Sequence, residues 1–155
     1  MYIFVCVIGW PISSSTKMET YDGENFELKG IMKGKGSGFS IAVLNGKIHI
    51  TGGIIGSSNS CEVYSPSDDK STLTSPMNCK RFYHGCCAQN GKIYVCGGKN
   101  GKASVCCEIL ESKEGSWRFV ASMNVGRKDL VVVSCGNYIW AFGGRKDEGE
   151  VLNSS

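Results

Sequence analysis

The stretch "NGKIYVCGGKNG", residues 90–101, opens on an Asn-Gly turn signal, continues as a short apolar run, and stops on two glycines where a strand could continue. Asn-Gly ahead of alternating β-branched and aromatic residues is a strong short-range signal for a hairpin. "NGKIHITGG", residues 45–53, repeats the arrangement, and "GNYIWAFGG", residues 136–144, repeats it again. The double glycines Gly52-Gly53, Gly97-Gly98 and Gly143-Gly144 lie 45 and then 46 residues apart. A self-similarity of that period is the mark of a repeat architecture.

Other positions keep step with the glycines. Met32, Met77 and Met123 each stand 20 residues before the first glycine of a pair. Phe26 and Trp117 each stand six residues before their methionine, where the middle unit has Ser71. Cys61-Glu62 matches Cys107-Glu108, and "METY", residues 18–21, occupies the same place one unit earlier. In that first unit Ile8-Gly9 fills the double-glycine slot, so "YIFVC", residues 2–6, reads as a repeat strand rather than a leader. It has no positive n-region, and the apolar run is too short to span a membrane.

Each unit holds four short strands. In the clearest unit they fall at about 84–89, 92–96, 105–111 and 117–121. One small twisted sheet cannot cover its own two faces, so neighbouring sheets must stack on it. The double glycine then marks a sharp change of direction. Glycine takes φ > 0 there without a Cβ clash and lets a second backbone come close.

Composition agrees. The chain has 155 residues, 41% of them hydrophobic and 20% charged, which supports a core and excludes a disordered tail. Twenty-one glycines and three prolines, with no helical apolar period beyond a turn or two, point to an all-β protein. A net charge of +3 is too weak for a typical nucleic-acid binder but leaves room for an acidic peptide partner. Nine cysteines without any C-x-x-C pair give no zinc-ribbon or redox spacing. Neighbours on a strand point to opposite faces, so Cys86 and Cys87 are not expected to bond to each other. The thiols read as small, reduced side chains of a cytoplasmic protein, and the sequence does not say which of them could sense oxidants. "GKGSG", residues 34–38, lacks the spacing of a phosphate-binding P-loop and reads as a loop between units.

"NGKIYVCGG" (90–98), "CCEIL" (106–110), Trp117, Met123 and Arg127 together resemble the kelch repeat. Ile8, Ser71 and Leu110 depart from that pattern without breaking its frame. The resemblance implies a partial kelch-type β-propeller of about three and a half four-stranded blades. Its partial blade would cover 1–32, full blades 33–77 and 78–123, and a second partial blade 124–155. The double glycines and Trp117 would be structural. The chain is expected to be a fragment of a longer protein or a reduced paralogue, with sheet faces left open.

The resemblance further implies a non-enzymatic protein-interaction module with no cofactor and no metal. Two histidines do not make up the ligand set of the copper-radical oxidase that shares this repeat. In adaptor-type kelch domains, arginines placed like Arg81 and Arg127 resemble those that grip acidic peptides. Lys99 and Arg145 are placed to join them, and Tyr83 and His84 to supply an aromatic edge and a polar tip. The alternative is that both arginines tie loops together through backbone carbonyls. Partners implied are a protein or acidic peptide, a cullin complex reached through a BTB domain absent from this sequence, or actin. Neither nucleic acid nor membrane is among them.

Overall fold

The computed structural model describes residues 3–5, 15–33, 37–54, 56–111 and 115–146. The expected Ile8-Gly9 slot and parts of the loops 33–38, 54–59 and 145–150 lie outside the described residues. The strands are β1 (Ile3–Val5), β2 (Ser15–Tyr21), β3 (Phe26–Lys33), β4 (Phe39–Leu44), β5 (Lys47–Gly52), β6 (Cys61–Ser65), β7 (Lys70–Thr74), β8 (Gly85–Gln89), β9 (Lys92–Cys96), β10 (Lys99–Asn100), β11 (Lys102–Ala103), β12 (Cys107–Glu111), β13 (Trp117–Val120), β14 (Lys128–Cys135) and β15 (Tyr138–Arg145).

They form consecutive antiparallel sheets. The first is β1-β2-β3, the second β4-β5-β6-β7 and the third β8-β9-β12-β13, while β14-β15 form the fourth. The four strands of the third sheet fall within two residues of their expected ends. Asn45-Gly46 and Asn90-Gly91 both have positive φ at the two turn residues, the geometry a two-residue hairpin of type I′ requires.

The first strands β4, β8 and β14 lie next to one another, so the second, third and fourth sheets stack in turn through their opening strands. Period-two alternation splits each strand between two cores. Cys86, Ile93, Val95, Leu110 and Trp117 of the third sheet pack toward Ala42, Cys61 and Met77. Cys87, Cys96 and Cys107 face the other way and pack on Leu130 and Val132. The vicinal thiols Cys86 and Cys87 therefore serve opposite cores. Among the described residues, no further sheet stacks on the fourth. Lys128, Leu130 and Val132 are buried, but Val131, Val133, Tyr138, Trp140 and Phe142 stay exposed on the outer face.

The pairs Gly52-Gly53 and Gly97-Gly98 are hinges between sheets. Gly52 and Gly97 adopt φ of 65° and 69°. A Cβ on Gly52 would lie 2.3 Å from the Arg81 carbonyl oxygen, and one on Gly97 2.5 Å from that of Arg127. The amides of Gly53 and Gly98 donate to these same two carbonyls, at 3.3 and 2.8 Å. The glycines let the next sheet's entry loop lie directly on the backbone. Gly143 also has positive φ, 61°, but a Cβ there would meet nothing within 4 Å, and β15 runs on through both glycines to Arg145.

One feature is not legible in the sequence. The loop after Gly98 folds into the β10-β11 ribbon with Gly101 at its tip. Its edges pair with the flanking entry loops, Phe82 with Lys99 and Ser104 with Arg127. Among the described residues, no helix is long and apolar enough to cross a membrane.

Candidate functional site on the entry-loop rim

Six residues after each methionine stand Gly38, Tyr83 and Asp129. All three take positive φ, 72°, 57° and 57°. The Tyr83 amide donates to the Gly38 carbonyl at 2.7 Å, and the Asp129 amide to the Tyr83 carbonyl at 2.8 Å. A chain of backbone bonds thus runs from the second sheet to the third and on to the fourth. A tyrosine in the left-handed region costs on the order of 1 kcal/mol or more, and surrounding structure has to hold it there. The Phe82 ring meets the Tyr83 ring edge-on at 5.3 Å, and the bare Gly38 leaves room for the Tyr83 ring.

Cations surround this chain. Lys99 pairs through its backbone with Phe82, which places it beside Tyr83. Arg127 donates through Nη1 to the Gly143 carbonyl at 2.8 Å and is half-buried. Arg145 is exposed and forks onto Asp129 Oδ2 at 2.7 and 3.2 Å. Tyr83, Lys99, Arg127 and Arg145 thus share one rim.

Arg81 and His84 do not join them. Arg81 is 2% exposed. Its Nη1 donates to the Gly97 and Cys106 carbonyls at 2.8 and 2.9 Å, and its Nη2 to Glu108 Oε1 at 2.6 Å. Glu108 is fully buried, and its carboxylate also accepts the amides of Asn78 at 2.8 Å and Cys79 at 3.0 Å. His84 is buried and shares a 2.8 Å hydrogen bond with Thr51 Oγ1. A partner-contact role for Arg81 and His84 does not fit this placement. Releasing Arg81 would strand a buried carboxylate, at a cost of several kcal/mol. Arg81 ties loops together, the alternative that the sequence left open for both arginines, and Arg127 makes the same kind of bond to the Gly143 carbonyl while staying only half-buried.

Glu108 itself was missed as Arg81's partner. Its signal was the repeated Cys-Glu of 61–62 and 107–108, a charge recurring inside an otherwise apolar strand. Asp129 was missed as well, although it occupies the same slot after its methionine as Tyr83.

Of the eight cysteines among the described residues, all are free thiols. Cys61, Cys86, Cys87, Cys96 and Cys107 are buried, Cys135 is exposed, and Cys79 and Cys106 are half-buried. Burial pushes the Cys87 thiol up to about 11. Such a thiol stays protonated and inert at neutral pH.

Comparison with known proteins agrees with this geometry. The family model for the Kelch motif matches residues 35–78 and 80–124. Kelch-like protein 15 of Danio rerio is 32% identical over 72% of this chain and 23% of its own length. Beta-scruin of Limulus polyphemus is 28% identical over 78% of this chain and 14% of its own length. Kelch-like protein 26 of Danio rerio is 30% identical over 70% of this chain and 19% of its own length. The chain thus spans less than a quarter of these curated relatives. The solved structure of YjhT superposes with a TM-score of 0.76 at 12% identity, over 89% of this chain and 48% of that one, a likeness of fold alone. The repeated four-stranded sheets, the glycine hinges and these matches lead to one conclusion: the chain belongs to the kelch-repeat family of interaction propellers and carries part of such a propeller.

Proposed function

We propose that the chain is the recognition part of a BTB–kelch adaptor for a cullin-type ubiquitin ligase, non-enzymatic in itself, and that its rim receives an acidic peptide. The observation that supports this reading is the Gly38–Tyr83–Asp129 chain of left-handed residues, with Lys99 paired to Phe82 on one side of Tyr83 and Arg145 paired to Asp129. Guanidinium forks suit carboxylates, and rigidly held loops suit recognition. Asp129 already occupies one face of Arg145, so an acidic ligand would exchange with it for that fork. Similarity to two Kelch-like proteins supports the adaptor setting.

The test is capture of a fluorescent peptide rich in Asp and Glu, followed by anisotropy. Lys99→Glu with Arg145→Glu should abolish capture while leaving thermal unfolding in place, and added salt should weaken binding in the parent chain. Capture unchanged by the double substitution would remove the peptide reading. Purification of a cullin with the full-length gene product tests the adaptor setting. Co-sedimentation with filamentous actin would instead favour a cytoskeletal scaffold.

A further inference from the structure

We infer that Cys79 and Cys106 form an oxidant-responsive thiol pair that closes into a reversible disulfide, clamping the entry loop before β8 to the connection between β9 and β12.

The two sulfurs lie 3.9 Å apart and are 27 residues apart in sequence. Both residues are half-buried, unlike the five cysteines sunk in the cores. Cys79 lines a cleft of about 380 Å³ together with Lys80, Arg81, Lys102 and Ser104. Arg81 Nη2 lies 3.4 Å from Cys106 Sγ and donates to it. The Cys106 amide is held by Ser104 Oγ at 3.0 Å, and the Cys79 amide by Glu108 at 3.0 Å, so both backbones are fixed. A disulfide needs the sulfurs to close to about 2.05 Å, a movement of rotamer scale.

These roles follow from the surroundings. Burial and then the Cys106 sulfur push the Cys79 thiol above its usual value, while Arg81 pulls the other way. Cys106, with a guanidinium on its sulfur, is the group that hydrogen peroxide oxidises. Its sulfur takes one oxygen to become a sulfenic acid, and the peroxide leaves as water. Cys79 Sγ then attacks that sulfur, the S–O bond breaks, and the hydroxyl departs with the Cys79 proton as a second water. Two thiols lose two hydrogens in all, and the peroxide is reduced.

A metal fits the same atoms poorly. Cys79, Cys106 and Glu108 lie within 4.8 Å of one another. The Glu108 oxygens, however, are already taken by Arg81 and two backbone amides, and the guanidinium would repel a cation.

The experiment is a non-reducing tryptic map of the full chain after graded hydrogen peroxide. The expected product joins peptide 71–80 to peptide 103–113 with loss of two hydrogens, fragment ions placing the bond on Cys106 rather than Cys107. Dithiothreitol should reverse it, and Cys79→Ser or Cys106→Ser should abolish it. On the unsubstituted chain, oxidation should raise Tm and reduction should restore it, a readout that needs no variant to fold. Three results would overturn the inference. One is oxidation confined to Cys135 while 71–80 and 103–113 remain fully alkylatable. Another is a bond from 93–99 to 103–113. The third is stoichiometric zinc uptake by the reduced chain that Cys79→Ser removes. None of these readouts involves the peptide, so this inference and the proposed function can fail separately.

Discussion

The second and third sheets share one strand order and one register, yet they close differently. In the third, Leu110 stands opposite Trp117, whose buried indole donates to the Ser75 carbonyl at 3.0 Å. In the second, Tyr64 stands opposite Ser71, and every residue of β7 is exposed. The buried carboxylates differ in the same way. Glu108 is answered by Arg81 and two amides, whereas Glu62 accepts from the Ser71 hydroxyl. Where the third sheet draws on Arg81, four residues after Met77, the corresponding position after Met32 is Gly36. Backbone ladders and turns therefore set the blade. Side chains from the neighbouring entry loop decide how firmly its outer strand and rim are held.

The glycine hinge is what the two sheets have in common, so breaking it should hurt both alike. Gly97→Val and Gly52→Val each force a side chain into left-handed backbone against a carbonyl, and each should cost on the order of 4 kcal/mol. Urea unfolding measures this, and an unchanged midpoint for either variant would contradict the hinge. Against total stabilities of roughly 5–15 kcal/mol, such a loss is close to unfolding.

The carboxylates should separate the sheets. Glu108→Gln leaves the Arg81 guanidinium buried without its counter-charge and should cost about 3 kcal/mol. Glu62→Gln keeps an acceptor for Ser71 and should cost within about 1 kcal/mol. Equal losses would mean that the ion pair does not distinguish the two. The double variant Arg81→Met with Glu108→Leu should recover much of the loss, which a double-mutant cycle reads as coupling.

Trp117→Phe keeps most of the buried ring but removes the bond to Ser75, and should cost about 1 kcal/mol. Ser71→Ala takes its hydroxyl from the Glu62 carboxylate and should likewise cost about 1 kcal/mol.

The smallest effect is pH-dependent and belongs to the second sheet, where His49 occupies the slot that Tyr94 fills in the third. Burial, and then Lys47, lower the His49 pKa in the folded chain. Unfolded histidine takes up a proton near pH 6.5, so below that pH the unfolded state binds more protons than the folded one. The stability contributed by neutral His49 is therefore complete above about pH 6.5 and falls as the pH drops through that value. Tm measured from pH 5 to 8 should show a decline on the acid side that His49→Tyr flattens. An identical slope in the variant would place the dependence elsewhere.

Much of the architecture was written locally. Alternating apolar residues have period two, Asn-Gly specifies a tight hairpin, and the glycine pairs at 52–53 and 97–98 mark hinges, so strand order and ends could be read from neighbours in sequence, although β15 runs on through the third pair. The direction in which Arg81 points could not be read this way. A basic residue in a loop is as consistent with a ligand outside as with a carboxylate inside, and its partner Glu108 lies 27 residues further on. Nor could the meeting of Cys79 with Cys106, or the Gly38–Tyr83–Asp129 chain across three sheets, because each joins segments separated by whole strands. Short-range periodicity determines which sheets form. Only the stacking of one sheet on the next decides which loop side chains share a rim, and which are closed inside it.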